Sequence, residues 1–141
     1  LTDAVEISSG KWLLAGGMNG LSIIPLNPGN PTAAAEIYDS VANTWTTVGS
    51  LSSARANLKG WPIGNGQFMI AGGGAGSILS PTPLSDTQIF DTATNTFSAG
   101  PSMNSGRAGA GMFFTPQGQV YLFGGAATSS SITTTTEWYF F

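Results

Sequence analysis

Two ten-residue stretches of the chain repeat one pattern. EIYDSVANTW occupies residues 36–45, and QIFDTATNTF occupies residues 88–97, 52 positions later. In each copy an aromatic residue precedes an aspartate, and a second aromatic lies two residues after an asparagine. Aromatic and β-branched residues favour strands, whereas Asp and Asn between them favour a tight turn. We therefore predict that each stretch is a β-hairpin, with its two aromatics as packing anchors on facing strands.

The hairpins belong to a larger repeating unit. A turn glycine is followed seven positions later by the second glycine of a pair, in the stretches KWLLAGG, QFMIAGG and QVYLFGG. An arginine, Arg55 or Arg107, follows the second aromatic of each hairpin by ten residues. Only the interval from the glycine pair to the next aromatic varies, being 21, 17 and 14 residues. Constant spacing with one variable interval indicates a packed unit with a single loop that accepts insertions.

The unit is predicted to contain four strands and no helix. No window has a sustained helical period, and the only helix-like fragment, PTAAAEIY, matches the strand-like SDTQIF of the next unit. The predicted strands are 2–7, 11–15, 34–38 and 44–48 in the first unit, 57–63, 67–71, 87–90 and 96–99 in the second, and 109–115, 119–123 and 134–140 in the third.

A repeated antiparallel unit of about 50 residues with four strands is one blade of a β-propeller. The glycine pair after an apolar strand, the Tyr or Phe before Asp, the Asn-x-Trp or Asn-x-Phe, and the Ser-rich segment ending in Arg together resemble the kelch repeat. The resemblance covers essentially the whole chain. It implies an all-β domain, 1–141, of about two and three-quarter blades, with limits 1–55, 56–107 and, incomplete, 108–141.

The third unit departs from the kelch pattern, because Phe140 stands where the pattern has Asp and no Asn-x-Trp follows. A propeller protects its sheet edges by closing into a ring. We therefore expect these blades to be part of a larger or an oligomeric propeller.

The scarcity of charge excludes several classes of partner. Four cations, Lys11, Arg55, Lys59 and Arg107, stand against seven acids, for a formal net charge of −3. Four scattered cations cannot follow a phosphate backbone or an anionic membrane, so neither nucleic acid nor a membrane is an expected partner. No apolar run reaches about 18 residues, so no membrane-spanning helix is predicted.

The chain also lacks the usual residues of catalysis. It has no Cys and no His, which excludes thiolate nucleophiles, imidazole bases and most transition-metal sites from these residues. The first variable loop holds Asn19, Asn27 and Asn30 but no acid, which is a poor calcium site. We predict no catalytic residue, no metal and no cofactor, and assign no enzymatic activity to the segment.

Several recurrent residues have a structural interpretation beside a functional one. The glycine pairs resemble a phosphate loop, but none of them leads into a helix, so they are predicted to end strands where a neighbouring strand approaches closely. Asp39 and Asp91 begin hairpins and are predicted to accept backbone N–H groups rather than to form a catalytic pair. Aromatics on the strands are predicted to form the core between blades, namely Trp12, Trp45, Trp61, Phe68, Phe97 and Tyr121.

Arg55 and Arg107 allow two interpretations. Each guanidinium group could capture a carboxylate of a partner, or it could bond backbone carbonyls of the adjacent blade and fix the angle between blades. Their shared position in the repeat favours the second interpretation, although arginine is also enriched at binding hot spots.

The candidate binding surface is one face of the propeller. In an up-and-down blade, the loop between the second and third strands and the connection to the next blade emerge on the same side. That face would carry the variable loops 18–33, 74–86 and 126–133, and loops on a rigid scaffold commonly bind partners. The candidate binding residues are Asn19, Leu21, Ile23, Ile24, Arg55, Ile78, Leu79 and Arg107.

Three functions fit these features. The first is a non-enzymatic protein-interaction or structural module, whose partner is another protein or further copies of itself. The second is the propeller part of a secreted carbohydrate-active enzyme, or of a copper radical oxidase similar to galactose oxidase, whose Tyr, His and Cys ligands would lie outside these residues. The third is carbohydrate binding, for which Trp138 and Tyr139 are candidates.

The low-charge, Ser- and Thr-rich surface resembles that of secreted or cell-surface kelch proteins, so we expect an extracellular location.

Overall fold

All regular structure in the described part of the chain is β-strand. The computed structural model describes residues 2–20, 27, 29–77, 79–128 and 130–141. None of its elements is a helix long and apolar enough to span a membrane. The strands are β1 (Asp3–Ser8), β2 (Lys11–Ala15), β3 (Met18–Asn19), β4 (Asn30–Pro31), β5 (Ala35–Asp39), β6 (Thr44–Thr47), β7 (Lys59–Gly64), β8 (Gln67–Ala71), β9 (Gly74–Ser77), β10 (Ser80–Pro83), β11 (Thr87–Asp91), β12 (Thr96–Ala99), β13 (Gly111–Phe114), β14 (Gln119–Phe123) and β15 (Thr136–Phe140).

The main strands form three antiparallel sheets in the order of the repeat. The first sheet has the order β1-β2-β5-β6, the second β12-β11-β8-β7, and the third β13-β14-β15. The first two therefore have four strands and the third has three, which confirms the all-β, propeller-type fold class. The blade limits 1–55, 56–107 and 108–141 stay predictions, and the strands of each sheet fall within them.

The two opening stretches are hairpins, as predicted. Tyr38 pairs with Trp45 and Phe90 with Phe97 in the strand register. Their ring centroids lie 4.8 Å and 4.9 Å apart, within the range of aromatic contact. Local hydrogen bonds stabilise the first turn, since the carboxylate of Asp39 accepts the N–H groups of Val41 and Ala42.

The variable loops contain strands that we predicted as loop. Between β2 and β5, the short strands β3 and β4 form an antiparallel pair, and β9 and β10 do the same between β8 and β11. These pairs were missed because they are only two to four residues long and rich in Gly, Pro, Ser and Asn, which carry no strand-like pattern. The base of each loop is thus held by backbone hydrogen bonds.

Adjacent sheets pack face to face through two apolar clusters. The first joins Val5 and Leu13 of the first sheet to Phe68, Ile70 and Phe90 of the second. The second cluster joins Ile63 and Met69 of the second sheet to Met112, Val120 and Leu122 of the third. Each sheet is pleated, so successive side chains alternate between the two neighbouring blades. The core therefore lies between blades.

Three of the predicted core aromatics are exposed, which is a correction. Trp12 and Trp45 are 36% and 54% exposed because they lie on the face of the first sheet that no described sheet covers. Trp61 is 38% exposed because β7 is the edge strand of its sheet. Phe68 is buried as predicted, and Phe97 and Tyr121 are half-buried. The outer face of the third sheet is also open and carries the exposed aromatics Phe113, Phe123, Trp138 and Phe140.

The glycine pairs end strands at points of close approach, as predicted. At Gly73, φ is +96°, and an added Cβ would lie 2.9 Å from the carbonyl oxygen of Ala56. A side chain there would meet both backbone strain and a clash. Gly73 N–H donates instead to the carbonyl of Arg107, which places the glycine pair against the connection to the next sheet.

Candidate functional site

The variable loops and the connections between sheets meet on one side of the molecule. An antiparallel bridge pairs Thr32, at the end of the first loop, with Arg55, and a second bridge pairs Ala56 with Gly74 at the start of the second loop. A third bridge pairs Ala108 with Ala126 at the start of the third loop. This arrangement agrees with the topology deduced from the repeat. We call this side the loop face, comprising the described parts of 18–33, 74–86 and 126–133 together with the linkers 50–55 and 102–107.

The described candidates on the loop face divide into exposed and buried groups. Asn19 is exposed on β3, and Leu79 is 74% exposed at the turn between β9 and β10. Ile132, which we did not single out, is 80% exposed in the third loop. A sequence scan for apolar residues in the third variable interval would have found it. Leu21, Ile23, Ile24 and Ile78 lie outside the described residues.

Arg55 lies fully buried between the first and second sheets, with 0% exposure. Its guanidinium donates to the carbonyl of Gly72 at 3.1 Å and to both carboxylate oxygens of Asp86, at 3.0 Å and 2.7 Å. It also donates to Ser53 Oγ at 2.7 Å. These contacts are those of the second interpretation, in which the arginine sits at the junction of two blades and fixes the angle between them. They leave no part of the side chain exposed to a partner.

Arg107 occupies the same place between the second and third sheets. Its guanidinium donates to the carbonyls of Gly124 at 3.3 Å and Thr135 at 3.0 Å, and it forms an ion pair with Glu137. The side chain of Glu137 is 8% exposed, so this pair is buried. Both predicted binding arginines are thus internal to the fold in this structure.

A second contact at each junction was not foreseen from the sequence. The side chain of Gln88 accepts the N–H of Ser52 at 2.9 Å, and the carboxylate of Glu137 accepts the N–H of Asn104. Ser52 and Asn104 each precede a junction arginine by three residues. Gln88 and Glu137 are the second residues of β11 and β15. Their equal position in the repeat was therefore the sequence signal that could have revealed this second contact.

The junction carboxylates have lowered pKa values. Burial alone would raise the pKa of Asp86, but the hydrogen bonds and charge of Arg55 outweigh it, and the net pKa falls below the ordinary 3.8. Burial would likewise raise the pKa of Glu137. The N–H of Asn104, the hydroxyl of Tyr139 and the charge of Arg107 lower it below the ordinary 4.5. Both acids are therefore ionised at neutral pH, as partners of an arginine should be.

No arrangement of the described residues suggests chemistry on a substrate. Within the described ranges, no three acidic side chains lie close enough together to hold a metal ion. The acids with lowered pKa values lie at junctions or hairpin turns, where their partners are arginine, lysine, Gln67, Gln88, Tyr139 or backbone N–H groups. The candidate site is therefore a surface, the loop face, carried on rigid sheets.

Comparison with known proteins agrees with this geometry. The Kelch motif family matches residues 62–104, which run from β7 to the linker before Arg107. This segment of the chain carries a kelch motif. The solved structure of YjhT has a similar fold, with a TM-score of 0.76 and 15% sequence identity over 99% of this chain and 48% of the YjhT chain. At that identity the likeness concerns the fold alone. No curated protein matches the sequence.

The kelch assignment confirms the resemblance found in the repeat. The matched segment contains the second hairpin, QIFDTATNTF, and the glycine pair of the second blade. This chain spans about half the length of the YjhT structure. Kelch-type blades form a propeller scaffold, so the loop face is the surface that such a scaffold presents.

Proposed function

We propose that the chain is a non-enzymatic interaction module that binds a protein partner through the loop face. The observation that supports it is the presence of exposed apolar side chains on loops whose bases are fixed. Leu79 and Ile132 are 74% and 80% exposed, whereas β8 and β14, the strands that lead into their loops, contribute Met69, Val120 and Leu122 to a buried cluster. Apolar side chains on a fixed surface are a common basis of protein recognition.

Backbone pairing holds the described ends of two loops on the loop face. The bridges from Thr32 to Arg55 and from Ala56 to Gly74 tie two loops to the linker between the first two blades. Leu84 N–H donates to the carbonyl of Gly73 at 2.8 Å, which fixes the far end of the second loop. A surface already ordered before binding loses less conformational entropy when a partner docks.

The opposite side of the propeller provides a matched control. Val41 is 89% exposed in the turn between β5 and β6, which lies at the other end of the strands from the loop face. Val41 is apolar and at least as exposed as Leu79. A change at Val41 therefore distinguishes nonspecific apolar binding from recognition by the loop face.

The experiment places a photo-crosslinking amino acid at position 79, 132 or 41 of the natural polypeptide in its own cells. We expect a defined protein adduct from positions 79 and 132 and none from position 41. Leu79→Ser should then weaken binding of the crosslinked protein at least tenfold, with Val41→Ser unchanged. Equal adducts from all three positions, or equal binding by the two serine variants, would contradict the proposal.

We extend the proposal to an extracellular location, supported by the low charge and the Ser- and Thr-rich composition. Protease added to intact cells should then degrade the natural polypeptide. Full protection until the cells are lysed would contradict that location. The oxidase-like and carbohydrate-active alternatives stay predictions, because their catalytic residues would lie outside this chain.

A further inference from the structure

The two described junctions place their carboxylate differently. At the first junction Arg55 binds Asp86, which lies just before β11, and Gln88 follows two positions later. At the second junction Thr135 holds the place of Asp86, and Glu137 holds that of Gln88. The Asp86 side chain is 40% exposed, whereas the Glu137 side chain is 8% exposed. An exposed carboxylate is therefore not needed to hold a junction arginine.

Asp86 lines a groove between the linker after the first sheet and strand β12 of the second. The groove has a volume of about 370 Å³, within the range of about 300–1,000 Å³ that is typical of small-molecule sites. We call it the linker groove. Its lining includes Ser50, Ser52, Asp86, Gln88, Phe97 and Ser102. The described lining thus combines one aromatic residue and one acid with small polar residues.

The polar wall of the linker groove is fixed from behind by Gln88, which is 4% exposed. Its side-chain amide donates to Ser52 Oγ at 2.8 Å and to the carboxylate of Asp86 at 3.4 Å, and its oxygen accepts the N–H of Ser52 at 2.9 Å. Arg55 holds the same carboxylate from its buried side. A carboxylate has about four acceptor positions, so the exposed side of Asp86 retains capacity for a ligand.

The charge of the linker groove suits a neutral ligand. Its described lining contains no lysine or arginine, and the guanidinium of Arg55 is fully buried. An anion would therefore face the carboxylate of Asp86 without a cation to bind. A cation would compete with Arg55, which already neutralises that carboxylate. An uncharged ligand rich in hydroxyl groups can instead donate to Asp86 and exchange hydrogen bonds with the serines.

Phe97 supplies an apolar surface in the same groove. Its side chain is half-buried and packs against the first apolar cluster, with its ring 4.9 Å from that of Phe90. The ring is thus held in place. A sugar ring has one face of C–H groups, which packs on an aromatic ring, and an edge of hydroxyl groups, which needs hydrogen-bond partners. The linker groove offers both kinds of contact.

We propose that the linker groove binds a neutral sugar residue, with Phe97 against its C–H face and Asp86 accepting a hydroxyl hydrogen. The site uses neither Trp138 nor Tyr139, the residues that the sequence alone suggested for carbohydrate. The proposal does not depend on the proposed function, because no exposed apolar loop residue takes part in it.

The first test applies the natural polypeptide to an array of neutral mono- and oligosaccharides together with their uronic-acid and amino-sugar counterparts. We expect binding to at least one neutral glycan. Its uronic-acid counterpart should bind about tenfold more weakly or less, because a second carboxylate would face Asp86. Inhibition by the free monosaccharide would show that one sugar residue suffices, and its absence would show that the site needs a longer glycan. Binding of no neutral glycan, or equal binding of the charged counterparts, overturns the proposal.

The second test gives the first junction the arrangement of the second. The double substitution Asp86→Thr and Gln88→Glu keeps an acid for Arg55 but removes the exposed carboxylate. The variant should keep the urea midpoint of the wild-type protein. It should bind the glycan about tenfold more weakly, because a hydrogen bond to a charged group is lost. A folded double variant with undiminished binding overturns the proposal.

A third variant, Ala99→Trp, blocks the linker groove without changing a buried residue. Ala99 is exposed, lines the groove and pairs with Gln88 in the strand register, so an indole there would cover the groove. Val41→Trp is the matched control, because Val41 is exposed in a hairpin turn at the other end of the strands. We expect Ala99→Trp to weaken glycan binding about tenfold and Val41→Trp to leave it unchanged. Equal binding by the two variants would mean that the sugar binds elsewhere, which overturns the proposal.

Discussion

The guanidinium of Arg55 donates hydrogen bonds to both carboxylate oxygens of Asp86 across the boundary between two sheets, at 3.0 Å and 2.7 Å. Arg55 ends the linker after the first sheet, and Asp86 lies just before β11 of the second. A bidentate pair fixes direction as well as distance, so this contact sets how one blade faces the next. The arginine is fully buried, whereas the Asp86 side chain is 40% exposed.

Replacing Arg55 with lysine should therefore destabilise the protein although the charge is kept. The lysine has no planar fork, so it cannot satisfy Asp86 and the carbonyl of Gly72 together. We expect Arg55→Lys to lower the free energy of unfolding by about 1.5–3 kcal/mol in urea denaturation. Lys11→Met removes an exposed ion pair and should cost less than about 1 kcal/mol. Equal effects of the two substitutions would show that Arg55 does not tie the blades together.

The buried ion pair of Arg107 and Glu137 should make stability depend on acid pH. The pKa of Glu137 is lowered from 4.5, so its contribution is complete above that ordinary value and is lost as the pH falls through the lowered pKa. Asp86 behaves in the same way below 3.8. Wild-type protein should lose more stability between pH 7 and pH 3 than Glu137→Gln does, as measured by urea midpoints. Parallel pH profiles for the two proteins would rule out this role of Glu137.

Two glycines with nearly the same backbone angle should respond differently to alanine. Gly73 has φ +96° and Gly64 has φ +98°, but only Gly73 has close neighbours, with the carbonyl of Ala56 2.9 Å from an added Cβ. Both substitutions carry a conformational cost of about 1–2 kcal/mol. Gly73→Ala should cost about 1–3 kcal/mol more, because the added Cβ would meet the carbonyl of Ala56 and the Cβ atoms of Leu58 and Arg55, none of which is the end of a flexible side chain. Thermal unfolding compares the two variants, and similar losses would mean that the glycine pair is needed only for its backbone angle.

Tyr139 should titrate at unusually high pH. Burial and the hydrogen bond from its hydroxyl to Glu137, at 2.9 Å, raise the pKa of Tyr139 from 10.0 to about 12. The stability that it contributes is present below its ordinary pKa and is lost as the pH rises through about 12. The phenolate absorbance of the wild-type protein should show a late step that Tyr139→Phe removes. If the late absorbance step persists in Tyr139→Phe, it belongs to another group and the assignment to Tyr139 is wrong.

Much of the fold was predictable because the repeat spacing is strict. Four of the eleven predicted main strands, including β2 and β8, have the predicted bounds, and the others differ by one or two residues at one or both ends. The hairpins of the variable loops were missed, because strands of two to four residues that are rich in Gly, Pro, Asn and Ser leave no recognisable pattern. The exposure of Trp12 and Trp45 was also missed, because a sequence shows which sheet face is apolar but not whether another sheet covers it.

The position of the loop face was deduced from the sequence, and its role as a binding site stays a prediction. The side of the propeller was deduced from topology, and the bridges at Thr32 and Ala56 agree with it. The contacts of Gln88 and Glu137 with the linkers were not foreseen, since one residue is an amide and the other an acid, although both lie two positions before an aromatic in the repeat. The pairing of the strands, with Ile70 and Leu122 as partners, makes their equivalence explicit.

The sequence by itself determined the repeating unit, its strands and the place of its variable loops, because spacing and local residue preferences act along the chain. Only the tertiary structure decided that Arg55 and Arg107 turn inward and that Glu36 is exposed. Those outcomes depend on which face of one sheet meets the next. Burial and hydrogen bonding across that boundary arise between residues such as Arg55 and Asp86, which are 31 positions apart in the chain.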